Sequence, residues 1–266
     1  MGAASRREVR CWGDNLEGQL GNGTRTNSQS PVTVVVPPPP SMSGGTSTNL
    51  NVVAIAAGRN HTCVIVEVPG DGMGAASRHE VRCWGDNLEG QLGNPLLEGP
   101  MGRPAGNSTT PVAVTGITDA VEITAGDSHT CVRLQSGEVR CWGDNTYLQL
   151  GNIAPGGPSP LAVEVASSMQ GGAPTNLTDV VEIAAGSGHT CARLQSGEVR
   201  CWGLNNSGQL GNDTQGGASP VAVVVPSSMS GGTPTNLTNV VEIAAGNDYT
   251  CARLQSGEVR CWGLNN

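Results

Sequence analysis

Nine cysteines are the residues best placed to do chemistry, and eight fall into four pairs: Cys63/Cys83, Cys131/Cys141, Cys191/Cys201 and Cys251/Cys261. Thiols so spaced can bridge, bind zinc or stay reduced in a core. Zinc is disfavoured, because no C-x-x-C occurs and two cysteines with one nearby histidine leave a site short of ligands. Hairpin arithmetic favours bridges. In Leu194-Gln195-Ser196-Gly197-Glu198, a three-residue loop with a left-handed Gly197 pairs Leu194 with Glu198. Counting outward puts Cys191 opposite Cys201 on a non-hydrogen-bonded pair, with Cα atoms ~4.5 Å apart, within disulfide range. Cys131/Cys141 and Cys251/Cys261 repeat this geometry. A longer loop, VPGDGMGAASRH, separates Cys63 from Cys83, and loop closure tolerates such an insertion. Each short bridge closes a loop of about eleven residues and stabilises by roughly 3 kcal/mol. The alternative is eight reduced, buried thiols. Disulfides imply an oxidising compartment: extracellular, periplasmic or cell surface. Cys11 is left as an unpaired thiol.

The other chemically capable side chains recur once per repeat. His61, His129 and His189 hold one repeat position, which Tyr249 takes in the last unit. A catalytic histidine is not expected once per unit or exchanged for tyrosine, so these residues are expected to hydrogen-bond a neighbouring backbone. Trp12, Trp84, Trp142, Trp202 and Trp262 also recur once per unit, as inter-blade packing rather than a ligand platform. Glu122, Glu182 and Glu242 repeat likewise and form no singular acid/base pair. Gly70-Asp71-Gly72-Met73-Gly74-Ala75 superficially matches G-x-G-x-x-A, yet a strand-like SRHEVRCWG follows where a dinucleotide site needs a helix. His79 lies in the same inserted loop, where exposure is expected. No Walker loop, G-x-S-x-G, H-E-x-x-H or EF-hand loop occurs. No catalytic, cofactor or metal site is assigned, and the reading is non-enzymatic.

These residues sit on short strands. Each full unit contains four runs of four to seven β-forming residues, for example PLAVEV (160–165), VVEIAAG (180–186), HTCARLQ (189–195) and EVRCWG (198–203). Cys-Trp-Gly occurs five times, at spacings of 72, 58, 60 and 60 residues. Residues 176–206 match 236–266 at 27 of 31 positions, and residues 1–22 match 73–94 at 21 of 22. AGRNHTC, AGDSHTC, AGSGHTC and AGNDYTC form a second recurrent signature. Four strands per ~60 residues, repeated, is the pattern of a β-propeller. Composition agrees. Gly is 39 of 266, charged residues are 14%, Phe is absent and every basic residue is Arg, so small apolar side chains must pack close-stacked sheets. A net charge of −8 argues against a nucleic-acid partner, and no apolar run approaches the ~18 residues of a membrane span.

The segments WGDNLEGQLGN (12–22 and 84–94) and WGLNNSGQLGN (202–212), with AGxxHT, resemble the regulator of chromosome condensation repeat family over nearly the whole chain. The resemblance implies a propeller, usually seven-bladed, of four-stranded blades; together with the cysteines it points to a bacterial-type, cysteine-rich secreted member. The expected fold is all-β: four full repeats plus one leading strand, in an incomplete or open ring. The units are 1–22 (partial), 31–94, 111–152, 160–212 and 220–266 (truncated) within one domain. Seven units of this period need about 420 residues, so a fragment of a longer secreted array is expected. WGDNTYLQLGN departs locally. If Gly18, Gly90 and Gly208 occupy a positive-φ turn, Leu148 must strain or reshape it.

Family members include exchange factors, ubiquitin-ligase domains and a secreted enzyme inhibitor, so fold does not choose function. The favoured function is a disulfide-stapled module binding a protein or a surface glycan, through loops such as 37–49, 94–110, 166–178 and 226–238. These loops equally have the composition of solvated connections. The alternative is an intracellular guanine-nucleotide exchange factor or scaffold. Open blade edges are expected to permit association. Asn60, Asn107, Asn176 and Asn236 head N-x-S/T sequons relevant only in a glycosylating pathway.

Overall fold

The computed structural model describes residues 8–37, 51–70, 74, 76–97, 106–152, 157–168, 174–227 and 235–265. Those residues are all-β apart from one short 3-10 turn, Pro95–Leu97. Sheet one pairs β1 (Val9–Gly13) with β2 (Ser28–Val34). Sheet two holds β3 (Asn51–Ala57), β4 (His61–Val68), β5 (Arg78–Gly85) and β6 (Ser108–Ala113). Sheet three holds β7 (Ala120–Ala125), β8 (His129–Leu134), β9 (Val139–Gly143) and β10 (Ser159–Glu164). A two-stranded ribbon, β11 (Ala166–Ser168) with β12 (Thr175–Asn176), follows. Sheet four holds β13 (Val180–Ala185), β14 (His189–Leu194), β15 (Val199–Leu204) and β16 (Ala218–Val224). Sheet five holds β17 (Val240–Ala245), β18 (Tyr249–Leu254) and β19 (Val259–Gly263).

The five sheets form an open propeller. The inner strands β3, β7, β13 and β17 pack on one another in turn. The PVxV-type strand expected to open each unit instead closes the preceding sheet: β2 pairs with β1, β6 with β5, β10 with β9 and β16 with β15. The units 31–94, 111–152, 160–212 and 220–266 are thus sequence repeats one strand out of phase with the sheets. The cause is the turn after each Cys-Trp-Gly strand. Its asparagine anchor folds the chain back beside that strand whatever the length of the link: Gly85 to Ser108 is a longer span than Ala113 to Ala120, which carries the chain on to the next sheet.

The core lies between sheets. Cys63, Ile65, Val81 and Leu92 of sheet two meet Ile117, Ile123, Val132 and Trp142 of sheet three. Cys131, Val139, Cys141 and Leu150 meet Val180, Ile183, Ala192 and Trp202 across the next seam. With no phenylalanine, these seams close by bringing Val, Ile and Ala side chains into direct contact, at the packing density that protein interiors require. Within sheets, register follows the hairpin arithmetic. Leu194 N donates to Glu198 O at 2.9 Å, Gly197 takes φ 80°, and Cys191 stands opposite Cys201.

Candidate functional site

Four disulfides join Cys63–Cys83, Cys131–Cys141, Cys191–Cys201 and Cys251–Cys261, each with a Cα–Cα distance of 4.1 Å. The first three are fully buried in the seams; in sheet five Cys251 is half-buried and Cys261 exposed. Cys11 is a free, half-buried thiol, and burial pushes its pKa up.

The turns that follow the Cys-Trp-Gly strands tie each sheet to the next. Asn15, Asn87, Asn145 and Asn205 accept, through Oδ1, the backbone N–H of Leu20, Leu92, Leu150 and Leu210. Gln91 donates from Nε2 to Asp86 and accepts from Glu89 N, which locks the turn. Its main-chain carbonyl is thereby aimed into the seam. There it accepts Trp142 Nε1 at 2.9 Å and Thr130 Oγ1 at 3.3 Å. Gln19, Gln149 and Gln209 receive Trp84, Trp202 and Trp262 in the same way, at 2.8, 3.0 and 2.9 Å. These Asn and Gln roles were missed from sequence. The recurrence of GQLGN was visible, but nothing local says that its glutamine carbonyl is an acceptor for the next sheet.

The histidines correct an expectation. They bond side chains, not backbone: His61, His129 and His189 reach Thr130, Thr190 and Thr250 of the following sheet, at 2.8, 2.9 and 2.9 Å through Nε2. Thr130 and Thr250 spend their own protons on the Gln91 and Gln209 carbonyls, so each accepts from an Nε2–H tautomer. The Nδ1 atoms have no partner among the described residues. Burial pushes the three imidazoles down to about 4, about 3 and about 4, with His61 and His189 adding charge repulsion at His129. All three are neutral, and His61 and His189 act as structural donors. Tyr249 replaces this group at 47% exposure.

Trp84, Trp142 and Trp202 are wholly buried in seams, and Trp262 is half-buried. Trp12 is a correction: it is 64% exposed, and among the described residues no turn of a preceding sheet lies over it. Glu122 pairs with Arg133 Nε at 2.8 Å and also accepts Ile183 N of the next inner strand at 3.2 Å; Glu182 does the same for Arg193 and Ile243. A register shift in each inner hairpin, between Val180 and Glu182 for instance, accompanies this reach. Leu148 takes φ 61°, the left-handed conformation that Gly18, Gly90 and Gly208 hold, so the expected strain is present.

His79 is half-buried, not exposed, with Nδ1 3.2 Å from Ala120 O. Most of 37–49, parts of 94–110, 166–178 and 226–238, and the centre of Gly70–Ala75 lie outside the described residues. Of the sequons, Asn176 and Asn236 are exposed and donate to Glu164 and Glu198; Asn107 accepts Asn87 N, and Asn60 is half-buried.

Antiparallel topology puts the inner turns (residues 58–60, 126–128, 186–188, 246–248) and the post-Trp turns on one face. Asp144 N donating to Ser128 O at 2.8 Å joins the two sets. A cleft of about 590 Å³ opens there, lined by Gly58, Gly126, Gly186 and Gly246 with Asp127 and Ser187 at its mouth. Glycine is required by space: a Cβ on Gly126 would lie 2.2 Å from His129 Cε1 and 2.4 Å from Gly186 O. This arrangement presents a shaped, polar surface; its repeated histidines, tryptophans and glutamates are engaged in the seams.

Such a molecule is a β-propeller of repeated four-stranded blades whose seams are built by one recurrent set of Trp, Gln, His and Thr. Residues 8–65, 79–133 and 136–193 match the Regulator of chromosome condensation (RCC1) repeat, as do 120–149, 180–209 and 240–266, and the chain belongs to this family. It is 26% identical to the human E3 ubiquitin-protein ligase HERC2 over 100% of this chain and 5% of that protein. It is 30% identical to protein pim1 of Schizosaccharomyces pombe, over 69% of this chain and 33% of that protein. The chain thus spans a twentieth and a third of these relatives' lengths. Yeast RCC1 (Prp20), solved bound to Kap60, superposes with a TM-score of 0.66 at 19% identity, over 96% of this chain and 52% of that one. The bacterial-type qualifier gains no support from these human and yeast relatives. No helix among the described residues is long and apolar enough to cross a membrane.

Proposed function

We propose that the chain is a non-enzymatic protein-binding propeller, stapled by disulfides and working in an oxidising compartment. The carrying observation is the same cross-strand bridge in four sheets, with three bridges sealed inside the seams. Bridges of this kind persist where thiols are oxidised. Two further points support a binding role: the recurrent polar side chains are spent on holding sheets together, and a relative of the same fold was solved bound to Kap60. That likeness favours a protein partner over a surface glycan.

The test is thiol labelling of the protein taken from its native source under alkylating, non-reducing conditions. One labelled cysteine per chain, Cys11, supports the proposal; eight or nine would overturn the compartment. A second reading, an intracellular exchange factor or scaffold, is favoured by the likeness to yeast RCC1 and HERC2. It requires reduced cysteines, and nucleotide-sensitive capture of a small GTPase would support it.

A further inference from the structure

Residues that recur in every sheet build the seams, so residues that break the repeat are the ones free for a partner. Three such departures sit in neighbouring turns of sheets three and four. Tyr147 stands where the first two turns carry Glu17 and Glu89. Leu204 replaces the aspartate found as Asp14, Asp86 and Asp144, a change that Leu264 repeats in the last unit. Gly188 replaces Asn60, Ser128 and Asp248 of the other inner turns. In the structure the three converge: a Cβ on Gly188 would lie 3.4 Å from both Tyr147 Cδ2 and Leu204 Cβ. The missing side chain leaves room for the two apolar groups, and Tyr147 stays 45% exposed. Next to it Leu148 holds φ 61° where the other turns use glycine. Strain of this kind persists where the surroundings enforce it, often at binding sites.

Charge identifies the occupant. Nine described arginines lie on strands and each pairs with a glutamate. The carboxylates around this patch are not so neutralised. Among the described residues, Asp144 is held only by Thr146 and Gln149, and Asp248 by Gln209 and Ser187. Asp127, whose backbone N–H donates to Ser187 O, has only a long contact of 3.8 Å to Arg59. An aromatic face beside under-neutralised carboxylates suits a guanidinium with apolar neighbours.

We infer that the exposed patch formed by Tyr147, Gly188 and Leu204, rimmed by Asp127, Asp144 and Asp248, receives a protein segment in which arginines alternate with apolar side chains. This deepens the protein-binding reading and rests on it. The probe is a fluorescein-labelled hexapeptide of alternating leucine and arginine, followed by anisotropy on the intact disulfide-bonded chain. The decisive variant is Tyr147→Glu/Leu204→Asp, which restores residues that equivalent turns already carry. It makes the face more acidic while removing the apolar patch. The expected result is binding weakened by roughly tenfold with an unchanged circular dichroism spectrum. Equal or tighter binding would mean that charge alone attracts the peptide and would overturn the inference. Asp127→Asn is expected to weaken binding and flatten its salt dependence, whereas Glu138→Gln, at the opposite end of the sheet, leaves both as they were. Loss of similar size from Glu138→Gln, or no binding by the parent chain, also overturns it. Neither outcome touches the thiol-labelling test of the compartment.

Discussion

Acid should loosen the seams through three buried imidazoles. His61, His129 and His189 sit between sheets, each hydrogen-bonded to a threonine of the next. Burial places their folded pKa values at about 4, about 3 and about 4, against ~6.5 in an unfolded chain. The unfolded state therefore binds more protons between these limits. Stability is complete above about pH 6.5 and falls as pH drops toward the folded values. Each imidazole contributes about 1.4 kcal/mol per pH unit in that window, so the three together contribute about 4. At about pH 5 the loss is on the order of 6 kcal/mol, a large part of the stability of an ordinary domain. Most carboxylates titrate lower, which leaves the interval from about pH 6 to 5 to the histidines. The assay is guanidinium unfolding without reductant, at several pH values, followed by far-ultraviolet circular dichroism. A slope approaching three protons is expected. His129→Gln keeps an amide donor for Thr190 and should lower the slope by one proton. A parent slope of one proton or less, or an unchanged slope in the variant, would refute the placement of neutral imidazoles in the seams.

Leu148→Gly should stabilise by about 1 kcal/mol by removing a left-handed leucine; equilibrium unfolding that shows a loss would contradict the strain. Gly126→Ala should destabilise by about 3 kcal/mol, because its Cβ meets His129 and the Gly186 carbonyl; a melting temperature equal to the parent's would mean that the seam is looser than described. Thr130→Val strands the His61 donor and should cost roughly 1–3 kcal/mol, measured the same way. Mild reductant on the native chain should open Cys251–Cys261 first, since its sulfurs alone lack a covering sheet. Alkylation and mass measurement should then report Cys11, Cys251 and Cys261 before any other cysteine; simultaneous labelling of Cys131 or Cys191 would show that burial does not protect them.

Much of the fold was legible because hairpins are local. Gln-Ser-Gly sets the register of β14 and β15, so Cys191 facing Cys201 follows from counting residues. Positive φ at residue 148 was readable for the same reason, from glycines at equivalent positions in sister turns. The phase of the sheets was not readable. PVxV strands have equal β-propensity wherever they pair, and the asparagine-anchored turn decides that they close the preceding sheet. His61 was recognisable as structural, yet its acceptor, Thr130, is 69 residues away. Trp12 shares its motif with Trp84 but not its burial, because burial depends on what lies above it.

By itself the sequence determined the strand period, the cross-strand cysteine pairs and the class of fold, since each depends on residues a few positions apart. Tertiary structure decided which sheet each outer strand joins, which carbonyls and hydroxyls receive the tryptophans and histidines, and that Tyr147, Gly188 and Leu204 meet in one patch. Those relations depend on how one sheet stacks against the next, and the distance between residues tens of positions apart is set by packing rather than by the chain.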